Sequence, residues 1–364
     1  MAFTFKNILP TDISYQTEPV FEAIPITGTL MSGAFPSDTN IKSYTHGFFQ
    51  SVYDYTYTQA SANHLLDITF GMCSGSSAFS NTSSVDYDKK VQLYNQMAQV
   101  LCGYDLQNQI RLFDLSGSLS TDSSAVKLRN LAFLNFSRLL SKDGIKKGTF
   151  NLDFYFSGSV SARDDLVRIS DYGAATSYKV NSPAGEYATL YANKIAGPET
   201  TNYPVGLIFY QAGVVALNYS TASVASVTSS SFDIFGGGLG LDYKSFPSGS
   251  LTAAKMIVSG SIDQIATSIR RRVHNLTFNN TVEINSTFYL CSLGYNDFNY
   301  SSNPTYISGS KIVTKNFAKE QPVSYITTIG LYSPDNELLA VAKLSEPIKK
   351  TPSTPVQIKV RVSY

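Results

Sequence analysis

Between Ser324 and Leu344 the chain reads as two β-strands folded on a turn, and this hairpin constrains the fold more than any other stretch. Ser324–Tyr332 and Glu337–Leu344 are rich in β-branched, aromatic and aliphatic residues, the composition that suits a pleated, half-buried surface. Between them lies Ser333-Pro334-Asp335-Asn336. Proline presets φ at the first central turn position, and Asp and Asn tolerate the tight or left-handed backbone that a turn needs. A third alternating piece, Val356–Val362, closes the chain as a further strand. This pattern predicts a rigid sheet and contains none of the residue groupings that carry chemistry.

Charge is scarce along the rest of the chain. Only 15 % of the 364 residues are charged, against roughly 25 % in an average soluble domain. Ser, Thr, Asn and Tyr take their place, with 24 Tyr, 22 Phe and no Trp. A Tyr-rich, charge-poor surface suits burial under partners, although all-β chains also favour Tyr and Thr, and composition leaves both readings open. The net charge of +1 comes without a long basic block, which argues against a dedicated nucleic-acid binder. Cys73, Cys102 and Cys291 are far apart and odd in number. They predict free thiols in a reducing cytoplasm rather than a disulfide framework or a zinc site. The N-terminus lacks the basic and apolar regions of a signal peptide, and no window is long and apolar enough for a membrane span.

The pattern along the chain predicts a mainly β (α+β) fold with antiparallel, sandwich-like sheets. Pro10, Pro19, Pro25 and Pro36 exclude a long helix from residues 1–45, which read as an extended, irregular N-terminal arm. Residues 46–217 read as a β-rich core domain. Its strand-like runs include Phe48–Tyr57, Asn63–Gly71, Arg111–Leu115 and Thr149–Phe156, the last with Phe150, Leu152, Phe154 and Phe156 on one face. One helix is expected there, about residues 88–102, capped by Asp86 or Asp88 and ended by Gly103. Val205–Leu217 reads as a single buried strand bent at Gly213. Residues 218–260 are a Ser/Gly-rich loop or insertion. Residues 261–364 form a C-terminal β domain that opens with a second helix, about 261–272, carrying Ile262, Ile265 and Ile269 on one face.

Candidate chemistry is thin. His46, His64 and His274 show no ligand or catalytic spacing. Gly236-Gly237-Gly238-Leu239-Gly240 lacks both the Gly-Lys-Ser/Thr ending of a phosphate loop and the strand–turn–helix context of a dinucleotide turn. No nucleophile elbow is present, and Asp164, Asp165 and Asp297 are scattered carboxylates in loops. Arg270-Arg271-Arg272 either complements a helix dipole or anchors a neighbouring subunit. The sequence therefore predicts no enzyme, no cofactor and no metal.

Several segments together resemble virion structural proteins of large tailed bacteriophages, including marine contractile-tailed ones. They are Ser51–Asp54, Ala62–His64, Lys90–Leu101, Asn135–Arg138, Ile145–Gly148, Asn181–Tyr187 and the hairpin from Pro322 to Leu344. Tyr325–Tyr332 is also similar to attachment strands of phage baseplate and tail-fibre proteins, with Thr328 where that pattern usually has Glu. The resemblance implies a non-enzymatic building block of the tail, baseplate or neck, made in the host bacterial cytoplasm. Its partners would be other virion proteins and further copies of itself, with no membrane and no dedicated nucleic-acid binding. Arg270, Arg271, Arg272, Tyr325, Ile329, Leu331 and Tyr332 are the expected assembly interface. The alternative is a capsid-surface or fibre protein that binds host glycans through Tyr and Asn in its loops.

Overall fold

The computed structural model describes residues 5–31, 38–74, 85–119, 127–155, 166–194, 203–219, 253–301, 304–315 and 317–364. The chain is mainly β, as expected: of the described residues 49 % lie in strands against 16 % in helices, which places the fold firmly in the β-rich class. In chain order the strands are β1 (Ile13–Thr27), β2 (Ile41–Ser43), β3 (Gln50–Tyr53), β4 (His64–Met72), β5 (Asn130–Phe136), β6 (Gly144–Ile145), β7 (Asn151–Tyr155), β8 (Leu166–Ser170) and β9 (Lys179–Ser182). They continue as β10 (Gly185–Lys194), β11 (Tyr203–Phe209), β12 (Val214–Asn218), β13 (Val273–Leu293), β14 (Ile307–Ser308), β15 (Lys311–Ile312), β16 (Ser324–Tyr332), β17 (Leu338–Lys350) and β18 (Val356–Ser363). The helices are α1 (Gly28–Met31), α2 (Tyr87–Leu101), α3 (Arg138–Ser141), α4 (Ala174–Ser177), α5 (Ala253–Ser259) and α6 (Ile262–Arg270).

The chain divides into two compact units, one of residues 1–19 with 283–364 and one of residues 20–282. These boundaries fall inside β1 and β13, whereas the sequence pattern suggested divisions at 45/46, 217/218 and 260/261.

The larger unit is one antiparallel path, β13-β7-β8-β10-β11-β12-β5-β4-β3-β2, with β1 on the far side of β13. Its central strands are buried on both faces. In β5, Ala132, Leu134 and Phe136 enter one apolar cluster, and Leu131 and Phe133 enter a second. In β12 the same split sends Val215 and Leu217 one way and Val214 and Ala216 the other. Phe136 of β5 meets Phe150 at 6.2 Å and Phe278 of β13 at 5.0 Å. Strands distant along the path therefore face each other across a core, the sandwich-like arrangement that was expected.

The β7 alternation is as predicted, with Phe150, Leu152 and Phe154 all buried; Phe156 lies outside the described residues. Val205–Leu217 is instead two strands. β11 and β12 pair antiparallel with Phe209 opposite Val214, and Gly213 takes φ +66° in the turn. A residue without Cβ enters that left-handed region at little cost. Burial on both faces made the two strands read as one apolar run.

Other differences have physical causes. Residues 13–27 form a 15-residue strand rather than an irregular arm. Pro19 and Pro25 are compatible with it because β1 lies at the end of the path, where a missing N–H costs no ladder bond. Arg111–Leu115 supplies only the bridge Asp114–Lys127. Phe48–Tyr57 narrows to β3, since residues 44–49 form a turn in which Tyr44, His46 and Phe49 rings pack together. Of residues 218–260, α5 is helical, and residues 220–252, including the Gly236–Gly240 run, lie outside the described residues. Asp164 and Asp165 lie outside them too.

Both predicted helices exist. α2 packs so closely on β4 that a Cβ on Gly71 would lie 2.8 Å from the Tyr94 nitrogen. Its Lys90 is fully buried and donates to the carbonyls of Ile257 and Gly260, both at 2.7 Å. It thereby holds the C-terminal end of α5. Burial lowers its pKa to about 8. Asp86 stands at the α2 N-cap as expected but makes no side-chain capping bond, whereas α6 carries a capping box that the pattern reading did not single out: Ser261 Oγ accepts from the Gln264 N–H, and Gln264 Oε1 accepts from the Ser261 N–H.

Gly71→Ala is expected to destabilise the chain by about 2 kcal/mol, because the obstructing atoms are backbone and cannot rotate away. Urea unfolding of the two proteins measures it.

Candidate functional site

The smaller unit holds the closing hairpin. β16 and β17 pair antiparallel with Ile329 opposite Ala342, Gly330 opposite Val341, Leu331 opposite Ala340 and Tyr332 opposite Leu338. The turn forms as its residues predict. The Asn336 N–H donates to the Ser333 carbonyl at 3.0 Å, the Ser333 N–H donates to the Glu337 carbonyl at 2.8 Å, and Asn336 takes φ +63°.

One face carries Ile329, Leu331, Ala340 and Ala342, all half-buried. The other carries Gly330, Tyr332, Leu338 and Val341. Tyr332, Leu338 and Val341 are 43 %, 52 % and 51 % exposed. Gly330 permits this packing, because a Cβ there would lie 2.8 Å from the Tyr332 ring. The Phe5 ring completes it edge-on, 5.1 Å from Tyr332. Leu339 bulges out of register and is also exposed. Among the described residues the hairpin is a sheet of two strands only. The third strand, β18, pairs with β13 instead, Val362 opposite Thr287 and Ile358 opposite Cys291.

The base of the hairpin is pinned by a buried cation. Lys350 is fully buried and donates to the Tyr295 carbonyl at 3.3 Å, Asn299 Oδ1 at 3.0 Å and the Thr351 carbonyl at 2.9 Å. Its cross-strand partner Ser324 donates to the Phe298 carbonyl at 2.6 Å. An ammonium has three protons, and here each finds an oxygen. Nothing in the local alternation marks Lys350 as buried. Its only signal is a lysine at the strand end, where solvent exposure is the usual expectation.

The predicted interface residues divide between the two units and, within the hairpin, between its two faces. Tyr325, Ile329 and Leu331 share one hairpin face and Tyr332 occupies the other, joined by Leu338 and Val341, which the sequence reading did not single out. Arg270, Arg271 and Arg272 belong to the larger unit. Arg270 is only 2 % exposed, and its guanidinium donates to the Met31 carbonyl at 2.6 Å and to Asp38 at 3.0 Å. Burial lowers its pKa, and Asp38 opposes that shift. Arg271 reaches the same carboxylate at 3.5 Å, and Arg272 is half-buried beyond the helix end. Arg270 is thus an internal strut holding α6 to the segment at Asp38.

Asp38, Gln50, Tyr57, Asp263, Thr267 and Arg271 help to line an open cleft of ≈ 580 Å³ beside this strut. Gln50 Nε2 donates to Ser43 Oγ and Thr267 Oγ1, both at 3.1 Å. Burial raises the Asp263 pKa, with Asp86 adding to the effect.

One constellation has the composition of a hydrolase triad but not its wiring. Ser51 Oγ donates to Asp67 Oδ1 at 2.5 Å, and His64 Nε2 bonds the same oxygen at 2.8 Å. In a triad the imidazole lies between the hydroxyl and the carboxylate, so that it can take the hydroxyl proton. Here the carboxylate lies between the other two, and Ser51 is buried. The ion pair lies within β4, and the Ser51 hydroxyl bonded to its carboxylate ties β3 to it. Its hydrogen bond to Asp67 raises the His64 pKa above 6.5 against partial burial. Among the described residues no group of His, Cys, Asp and Glu could hold a metal ion, and no helix is long and apolar enough to cross a membrane.

Two outcomes follow from these bonds. Lys350→Met leaves three oxygens without their donor and is expected to destabilise the smaller unit by about 3 kcal/mol, read as loss of amide protection along β16 and β17. The His64–Asp67 pair raises the folded-state pKa, so its stabilisation is complete below pH 6.5 and is lost as pH rises through the raised value. The urea-midpoint difference between the wild type and His64→Gln should therefore be largest in acid and shrink toward alkaline pH; a difference that grows with pH would contradict the assignment.

No family model, no curated protein and no solved structure matches this chain.

Proposed function

We propose that the protein is a non-enzymatic structural subunit of a tailed-phage particle, in the tail, baseplate or neck, joined to its neighbours through the β16–β17 hairpin. The observation that carries the assembly reading is the hairpin itself. A two-stranded ribbon is at best marginally stable in water, yet this one presents Tyr325, Tyr332, Leu338, Leu339 and Val341 at 43–64 % exposure. Covering half of a large apolar side chain is worth about 1 kcal/mol, so Tyr332, Leu338 and Val341, which share one face, together offer roughly 3 kcal/mol to a partner that buries them. Contiguous exposed apolar surface of this kind marks interaction sites. Attribution to a phage particle draws on the resemblance of seven segments, and the charge-poor composition supports it.

A second reading, a capsid-surface or fibre protein that binds host glycans, draws on the polar cleft beside Arg270, whose amide, hydroxyl and carboxylate groups suit hydroxyl-rich ligands.

The triple variant Tyr332→Ser/Leu338→Ser/Val341→Thr, whose altered side chains are exposed, should fold with an unchanged far-ultraviolet spectrum. Its copy number in gradient-purified particles, measured by quantitative mass spectrometry, should fall at least about tenfold, the equivalent of 1.4 kcal/mol. Wild-type protein that stays in the soluble lysate and never enters particles would sink the proposal.

A further inference from the structure

The two edges of the hairpin are not alike. β17 carries Lys343, Glu346, Pro347 and Lys349, and residues 344–347 bulge opposite Thr327 alone. Charges, proline and bulges are the devices that keep a strand edge from pairing with another chain. β16 has none of them. Its nine residues, Ser324–Tyr332, include no charge and no proline. Among the described residues it pairs only with β17, and Thr327, Thr328 and Gly330 are exposed along it. The ends of the sheet path in the larger unit are guarded by comparison. β2 is three residues long and includes Lys42, and β1 contains Pro19, Pro25, Glu18 and Glu22.

We infer that the open edge of β16 pairs antiparallel with β16 of a second copy of this chain. This rests on the assembly reading above and names the partner. Charge selects the occupant. A symmetric antiparallel pair sets its central residue against its own copy and every other residue against the one equally far beyond the two-fold, so a charge at or next to the midpoint would lie close to its own kind and oppose pairing. β16 is neutral throughout and meets no such penalty. β17 paired in the same way would bring lysines together. A charged strand from another protein would find no complementary group on β16. Pairing also places four strands side by side, β17-β16 of one copy and β16-β17 of the other. That passes the three-strand threshold below which a sheet is marginal, and it brings the two apolar hairpin surfaces side by side. One strand edge is a small interface, so the expected dissociation constant is on the order of 10 µM.

Sedimentation equilibrium of the full chain tests this, with Thr328→Glu as the blocking variant. Thr328 lies opposite Lys343, so the new carboxylate suits its own hairpin and repels only its symmetry mate. The expected result is a wild-type dimer, at least about tenfold weaker association in Thr328→Glu with thermal stability unchanged at concentrations where both chains are monomeric, and no change in Ser345→Lys on the guarded strand. A dimer unaffected by Thr328→Glu overturns the inference. So does a wild-type chain that is monomeric at every concentration yet still enters particles; that result leaves the structural-subunit reading standing with a different partner. A β16-dependent dimer that never appears in particles has the opposite meaning: the pairing holds and the subunit reading fails.

Discussion

The central strands of the larger unit have no solvent face, and most of its architecture answers to that constraint. β5 and β12 send alternate residues into two separate apolar clusters, so each face requires its own cover. α2 covers one site closely enough to require Gly71 beneath Tyr94. α6 contributes Ile262, Ile265 and Ile269 to the first cluster, and its far end is fixed by Arg270 reaching Met31 and Asp38. Polar groups survive in this interior because they are bonded, as burial of an unpaired group costs one to several kcal/mol. Lys90 between two carbonyls and Tyr94 donating to the Leu128 carbonyl at 2.6 Å are examples.

The same constraint explains how far the sequence could be read. Where one face is solvated, alternation shows directly, as along the closing hairpin with its Pro-Asp-Asn turn. Where helices form, apolar spacing carries the signal, and both expected helices were found within a residue or two of their places. Where both strand faces are buried, periodicity disappears: Val205–Leu217 looked like one strand and is two, with only Gly213 to mark the turn. The prolines of residues 1–45 misled in the other direction. They excluded a long helix correctly, but a strand at the end of a sheet path tolerates them as well.

Site residues were legible in part. Tyr325, Ile329, Leu331 and Tyr332 lie on the hairpin as the pattern implied, but their division between two faces depends on pairing with β17, which brings in Leu338 and Val341. Arg270 was hidden by its own chemistry: an arginine triplet suggests a surface, and only the fold shows one member consumed by a carbonyl and a carboxylate. Lys350 was hidden in the same way. Cations buried by hydrogen bonds to main-chain oxygens have no local sequence signature, because their partners are distant in the chain.

Lys90 has a further consequence. Its amine is about half deprotonated near pH 8, a larger free-amine fraction than a surface lysine has at the same pH, yet it is covered completely by its own fold. An acylating reagent reaches it only when α2 and the end of α5 part, an excursion of the kind by which proteins open locally without unfolding. The side chain that closes this contact is thus also a chemical clock for it: the rate of modification at Lys90 counts how often the interior of the larger unit opens.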